Sequence, residues 1–161
     1  MAKILKKKAK AKKTPPVTVS FEAIRRRAKA MESDTVRFLS DLVRTPSFSS
    51  QERDVIAVIK REMQQIGFDE IRVDGLGNII GRIGSGPRVM AFDGHVDTVY
   101  PGDRSQWNFD PFKPFVKDGK IWGRGTVDQK GGVATMIHAG RIIKELGLND
   151  QFTIYFTGTV M

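Results

Sequence analysis

The sequence predicts an α/β protein, a layered sheet flanked by helices, and three observations predict it. Two stretches between residues 33 and 66 carry apolar residues at helical spacing. From Asp69 the apolar period shortens to two. A further helical pattern over 132–146 then runs directly into another strand pattern.

The first helix is read from "SDTVRFLSDLVR", where Val36, Leu39 and Val43 stand beside Phe38 and Leu42. Ser33 or Asp34 can cap it, and Thr45-Pro46-Ser47 breaks it. Ser49-Ser50-Gln51-Glu52 has the form of a capping box. It opens a second helix with Val55, Ile59, Met63 and Ile66 on one side and Gly67 as its stop. "EIRVDGLGNIIGRIG" reads as strand, turn, strand, and "RVMAFDGH" as a strand ending at His95. "FKPFVKDGKIWGRG" reads as a hairpin turning at Asp118-Gly119. The third helix turns Val133, Met136, Ile137, Gly140 and Ile143 inward and stops at Gly147. "QFTIYFTGTV" is a strand with Phe152, Ile154 and Phe156 on one face. Gly75-Leu-Gly77-Asn-Ile-Ile-Gly81 imitates a dinucleotide loop, but its last interval is one residue too long and a strand follows it. A hairpin turn is the better reading.

The net charge of +9 is unevenly placed: residues 1–29 hold 11 of the 27 basic residues and one of the 18 acidic ones. Residues 1–30 therefore read as a basic tail, disordered in isolation, because lysines repel one another and little apolar surface is available to bury. Such a tail is a solvated leader, or makes weak, nonspecific nucleic acid contact through its lysines. No apolar region follows the charges as in a secretory signal, and no stretch is long enough for a membrane span, so a cytoplasmic protein is expected. The absence of cysteine excludes disulfides and thiolate zinc sites. Any metal must be held by imidazole and carboxylate.

Two motifs carry chemistry. His95, one of two histidines, ends a strand, and Asp97 two residues on shares its side of an extended chain. A carboxylate there can fix one ring nitrogen and leave the other for a metal. Alone, H-x-D fits a structural histidine equally well. In "GRGTVDQKGG" Asp128 follows a Gly-rich stretch and precedes the third helix, where Gly131-Gly132 allows close backbone approach. Its carboxylate could bridge two cations or merely cap the helix. His138, on the third helix, is assigned a surface or packing role.

Together, GHVDT and GRGTVDQKGG resemble the co-catalytic zinc family of acetylornithine deacetylase, succinyl-diaminopimelate desuccinylase, glutamate carboxypeptidase and aminoacylase. The resemblance covers about residues 33–161, including Thr45-Pro46-Ser47 and Asp110-Pro111-Phe112. It implies a zinc-exopeptidase-like catalytic domain, with residues 31–161 as its N-terminal part and the lid/dimerisation domain missing. His95 then binds one zinc, Asp128 bridges two, Asp97 steadies His95 in the catalytic site, and the Asp128–Gln129 peptide is cis. Co²⁺ or Mn²⁺ could replace Zn²⁺. The implied activity is hydrolysis of amides in short peptides or N-acyl amino acids by a metal-activated water, in an enzyme that is a homodimer when complete. The family's Glu-Glu pair, its general base and a further ligand, is expected where this sequence stops at Met161, so the chain alone is expected to be inactive. The rival reading is a non-catalytic fragment whose tail binds nucleic acid or a protein partner.

Overall fold

The computed structural model describes residues 19–160. Helices α1 (Phe21–Ala30), α2 (Glu32–Arg44) and α3 (Arg53–Ile66) lead into strands β1 (Glu70–Val73), β2 (Ile79–Ile83) and β3 (Arg88–His95). The hairpin β4 (Phe115–Lys117) and β5 (Lys120–Trp122) precedes α4 (Gly131–Glu145) and β6 (Phe152–Thr159). The main sheet has the order β1-β2-β6-β3. β6 runs antiparallel to β2 and parallel to β3, with His95 opposite Thr159.

The core follows the two apolar periods. Val55, Ile59 and Met63 of α3 and Val133 and Ile137 of α4 pack with Ile79 and Ile83 of β2 and Ile154 and Phe156 of β6. Phe38 and Leu42 of α2 complete the cluster. β3 is less covered, leaving Val89, Met90 and Phe92 exposed along the sheet edge.

Several expectations hold locally. Gly67 ends α3 in the left-handed conformation (φ 79°), and Asp118 and Gly119 make the hairpin turn with φ of 51° and 70°. The 75–81 glycines lie in and after the turn between β1 and β2, where Asp74 Oδ1 accepts the backbone N–H groups of Leu76, Gly77 and Asn78.

The basic tail needs correction at its end. Residues 1–18 lie outside the described residues, but 21–30 form α1 rather than a disordered segment. Ser20 caps it by accepting from Ala23 N–H. Arg27 ion-pairs with Glu145 of α4, which also accepts from Arg141. The expected cap of α2 is corrected too: the helix begins at Glu32, directly behind α1, without a side-chain cap.

Beneath the helices lies a polar network. Glu62 of α3 accepts two hydrogen bonds from Arg37 (2.9 and 3.0 Å) and meets His138 Nε2 at 3.1 Å. The other ring nitrogen of His138 meets Thr35 Oγ1 at 2.8 Å, and its ring stacks on Phe38. His138 thus has a packing role inside the helical layer, joined to α2 and α3. No helix of the described residues is long and apolar enough to cross a membrane.

Candidate metal centre

His95 sits at the carboxyl end of β3, where an α/β sheet opens onto its loops. Its Nδ1–H donates to Asp97 Oδ1 at 2.9 Å, and its Nε2–H donates to Asp128 Oδ1, also at 2.9 Å. The three predicted site residues are therefore brought together. Their exposures differ in a useful way: the Asp97 side chain is 13% exposed, His95 35% and Asp128 85%. Asp97 is the buried anchor and Asp128 the open carboxylate. Partial burial works against a charge on His95, but the hydrogen bonds to Asp128 and Asp97 outweigh it and hold its pKa above the ordinary value.

The helix-cap reading of Asp128 is excluded by geometry. α4 begins at Gly131 behind Lys130, without a side-chain cap. Asp128 lies in the preceding turn, Thr126–Lys130, with φ −115° and ψ 101°, and the Asp128–Gln129 peptide is cis. Glycines allow this turn to close. At Gly131 a Cβ would fall 2.4 Å from Thr126 O, an approach that no side chain permits. Gly132 is less constrained, its nearest neighbour standing 3.5 Å away.

Residues outside the motifs hold the site in place. Ser49 does not form the expected capping box: its hydroxyl donates to Asp97 Oδ2 at 2.8 Å. Ser47, fully buried, donates to Val96 O, and Thr98 N–H donates to Ser47 O, both at 2.7 Å. The Thr-Pro-Ser break thus clamps the strand end that carries His95. Lys130 is 1% exposed, and its ammonium donates to Leu42 O and Thr45 O, each at 2.8 Å. Burial pulls its pKa down to about 8 against a raising influence of Asp97. Lys130 ties the Asp128 turn to the carboxyl end of α2, where backbone carbonyls favour a cation. Sequence reasoning missed Ser49 and Lys130, because nothing in their spacing separates them from surface residues.

The donors fit a divalent cation such as zinc in kind. His95 Nε2 and the Asp128 carboxylate converge, and the other ring nitrogen is tied to a carboxylate, the usual support of a metal-binding imidazole. A cation would replace the proton now shared between Nε2 and Asp128. Their number is small: among the described residues, no group of three or more His, Cys, Asp or Glu side chains is placed to hold a metal ion. The three residues line a cavity of about 280 Å³, together with Thr98, Arg124 and Thr126.

Comparison with known proteins agrees with this geometry. The Escherichia coli (strain K12) protein YgeY is 48% identical over 142 residues, 88% of this chain and 35% of its own length. A probable succinyl-diaminopimelate desuccinylase of Staphylococcus epidermidis is 37% identical over 131 residues, covering 80% of this chain and 32% of its own. The chain thus spans about a third of the length of these curated relatives. The di-peptidase Dug1p of Saccharomyces cerevisiae shares the fold, with a TM-score of 0.76 at 21% identity over 86% of this chain and 34% of that one. Residues 91–161, which include both motifs, match the profile of peptidase family M20/M25/M40. With its sheet, its His95–Asp97–Asp128 arrangement and these relatives, the chain belongs to the M20 metallopeptidase family and corresponds to its N-terminal part.

Proposed function

We propose that the chain forms part of a metal-dependent amide hydrolase acting on short peptides or N-acyl amino acids, with His95 and Asp128 as ligands of a dinuclear zinc centre. The observation that carries the reading is the convergence of an oriented imidazole and an open carboxylate at the carboxyl end of β3. A relative named as a desuccinylase supports amide chemistry. When bound, the metal pair would lower the pKa of water and polarise the amide carbonyl.

The chain's own residues have separate tasks. Asp97 holds the Nδ1 proton of His95, so that Nε2 is the nitrogen presented to the cation. Ser49 keeps the Asp97 carboxylate turned towards the ring. Lys130 and Gly131 fix the turn from which Asp128 projects, leaving both of its oxygens accessible from the cavity side. The remaining ligands and the general base, worth ~10²–10⁴-fold in rate, are assigned to groups outside the described residues.

Zinc calorimetry and hydrolysis of N-acetyl amino acids test the proposal. With two protein ligands, the 161-residue chain should bind zinc weakly and show no measurable turnover. His95→Ala should abolish that binding. Asp97→Asn should keep it but weaken it by ~10–100-fold, the usual effect of losing such a partner. Zinc binding indifferent to both substitutions would refute the site.

A further inference from the structure

Two carboxylates line the cavity beside His95, yet neither pairs with the one arginine that also lines it. Asp97 and Asp128 are both turned to the imidazole. The Arg124 guanidinium instead lies over the Trp107 ring, 4.9 Å from its centroid, and makes no hydrogen bond or ion pair among the described residues. Trp107 is itself fixed by donating its indole N–H to Pro101 O at 2.9 Å. Stacking therefore orients the guanidinium plane while leaving its donors uncommitted.

A second orphan lies in the same place. Among the described residues, the buried side-chain polar atoms without a hydrogen-bond partner are Arg124 Nε and Thr98 Oγ1. Thr98 is 4% exposed, and both residues line the His95 cavity. Buried donors left unpaired are costly and rare in folded proteins, so two in one cavity mark a place where something else supplies the acceptor. A guanidinium offers a planar fork of N–H groups that matches a carboxylate.

We propose that Arg124 and Thr98 form a carboxylate-binding subsite, which selects amide substrates carrying a free carboxylate near the bond to be cleaved. The substrate class rests on the amide-hydrolase reading above; carboxylate binding at Arg124 does not. A cavity of about 280 Å³ holds both the subsite and the His95–Asp128 pair, so one small ligand reaches both. The bound carboxylate would accept from the Arg124 fork and the Thr98 hydroxyl, placing its amide towards Asp128.

The test is a titration of the metal-free 161-residue chain with N-acetyl-L-alanine and, separately, its neutral carboxamide, followed through the Trp107 indole N–H resonance. The acid should bind, with an affinity at least about tenfold above that of the amide, the scale of one charge-assisted pair. N-succinyl-L-alaninamide, which moves the carboxylate to the acyl side, identifies the end that is held; binding of either acid supports the subsite. Arg124→Gln should remove the preference for acid over amide, Arg124→Lys should retain part of it, and Thr98→Val should weaken acid binding. An unshifted, well-dispersed amide spectrum away from the cavity establishes that each variant is folded. Equal binding of acid and amide by the wild type, no acid binding at all, or an undiminished preference in Arg124→Gln overturns the proposal. The hydrolase reading fails separately, through zinc binding indifferent to His95→Ala, and the acid preference would survive that result.

Discussion

Replacing Glu62 with alanine should destabilise the fold by about 3 kcal/mol, and the network around it shows why. Three hydrogen bonds disappear, two from Arg37 and one shared with His138. The Arg37 side chain is 48% exposed, so water replaces Glu62 there and the loss is that of a half-exposed pair, ~1 kcal/mol. His138 has no such escape. Its side chain is 4% exposed, and a buried nitrogen without a partner costs ~1–3 kcal/mol. Relief from burying the Glu62 carboxylate offsets part of this, while the space left by the missing side chain adds to it. In urea denaturation the variant should lose about 3 kcal/mol, and in thermal melts roughly 10 °C. The pH dependence gives a second handle. Burial alone would raise the Glu62 pKa, but hydrogen bonds from His138 and Arg37 outweigh it and hold the value below normal. A carboxylate with a depressed folded pKa contributes stability above its unfolded pKa and loses it as the pH falls through the folded one. The gap between wild type and Glu62→Ala should therefore narrow as the pH falls from about 6 towards 3. A loss below about 1 kcal/mol at pH 7, or a gap that widens in acid, would refute the reasoning.

Deleting residues 1–18 should leave the melting temperature unchanged, whereas deleting 1–30 should lower it by several degrees, because α1 carries the Arg27–Glu145 pair. Arg27→Ala should release Glu145, whose pKa is held down to about 2 chiefly by Arg27 and then Arg141. Its carboxyl resonance in NMR should then titrate closer to the ordinary range. Gly131→Ala should disturb the Asp128 turn, because its Cβ has no space beside Thr126 O. Zinc affinity, measured by calorimetry, should fall with little change in the far-ultraviolet spectrum.

His95, Asp97 and Asp128 were legible because each follows a local signal: a strand that ends in His-x-Asp, and a Gly-rich turn before a helix. The helices and strands were legible for a similar reason, since their apolar periods persist over several turns or residues. What escaped is what tertiary packing alone decides. Lys130 reads as one surface lysine among many until the carbonyls of Leu42 and Thr45 close on it. Ser49 reads as the start of a capping box, because its partner Asp97 lies 48 positions on. α1 was hidden within the charge run; its anchor Glu145 is 118 positions from Arg27. Arg124 carried no signal at all, because its meaning comes from the acceptor it lacks.

The position of β6 has a consequence for synthesis. The last strand in sequence occupies an inner place in the sheet, between β2 and β3. While the chain emerges from the ribosome, only the β1–β2 hairpin can form its ladder at once. β3 must wait with Val89, Met90 and Phe92 uncovered until Phe152–Thr159 has left the exit tunnel, a delay of some seconds at ~5–20 residues per second. During that interval the nascent chain presents an apolar strand with two open edges, the kind of segment that chaperones bind and that crowded polysomes cross-pair. Translation rate through the stretch between β3 and β6 thus becomes a determinant of yield. Slow codons placed there would lengthen the exposure, and slow codons placed after Thr159 would give the sheet time to close.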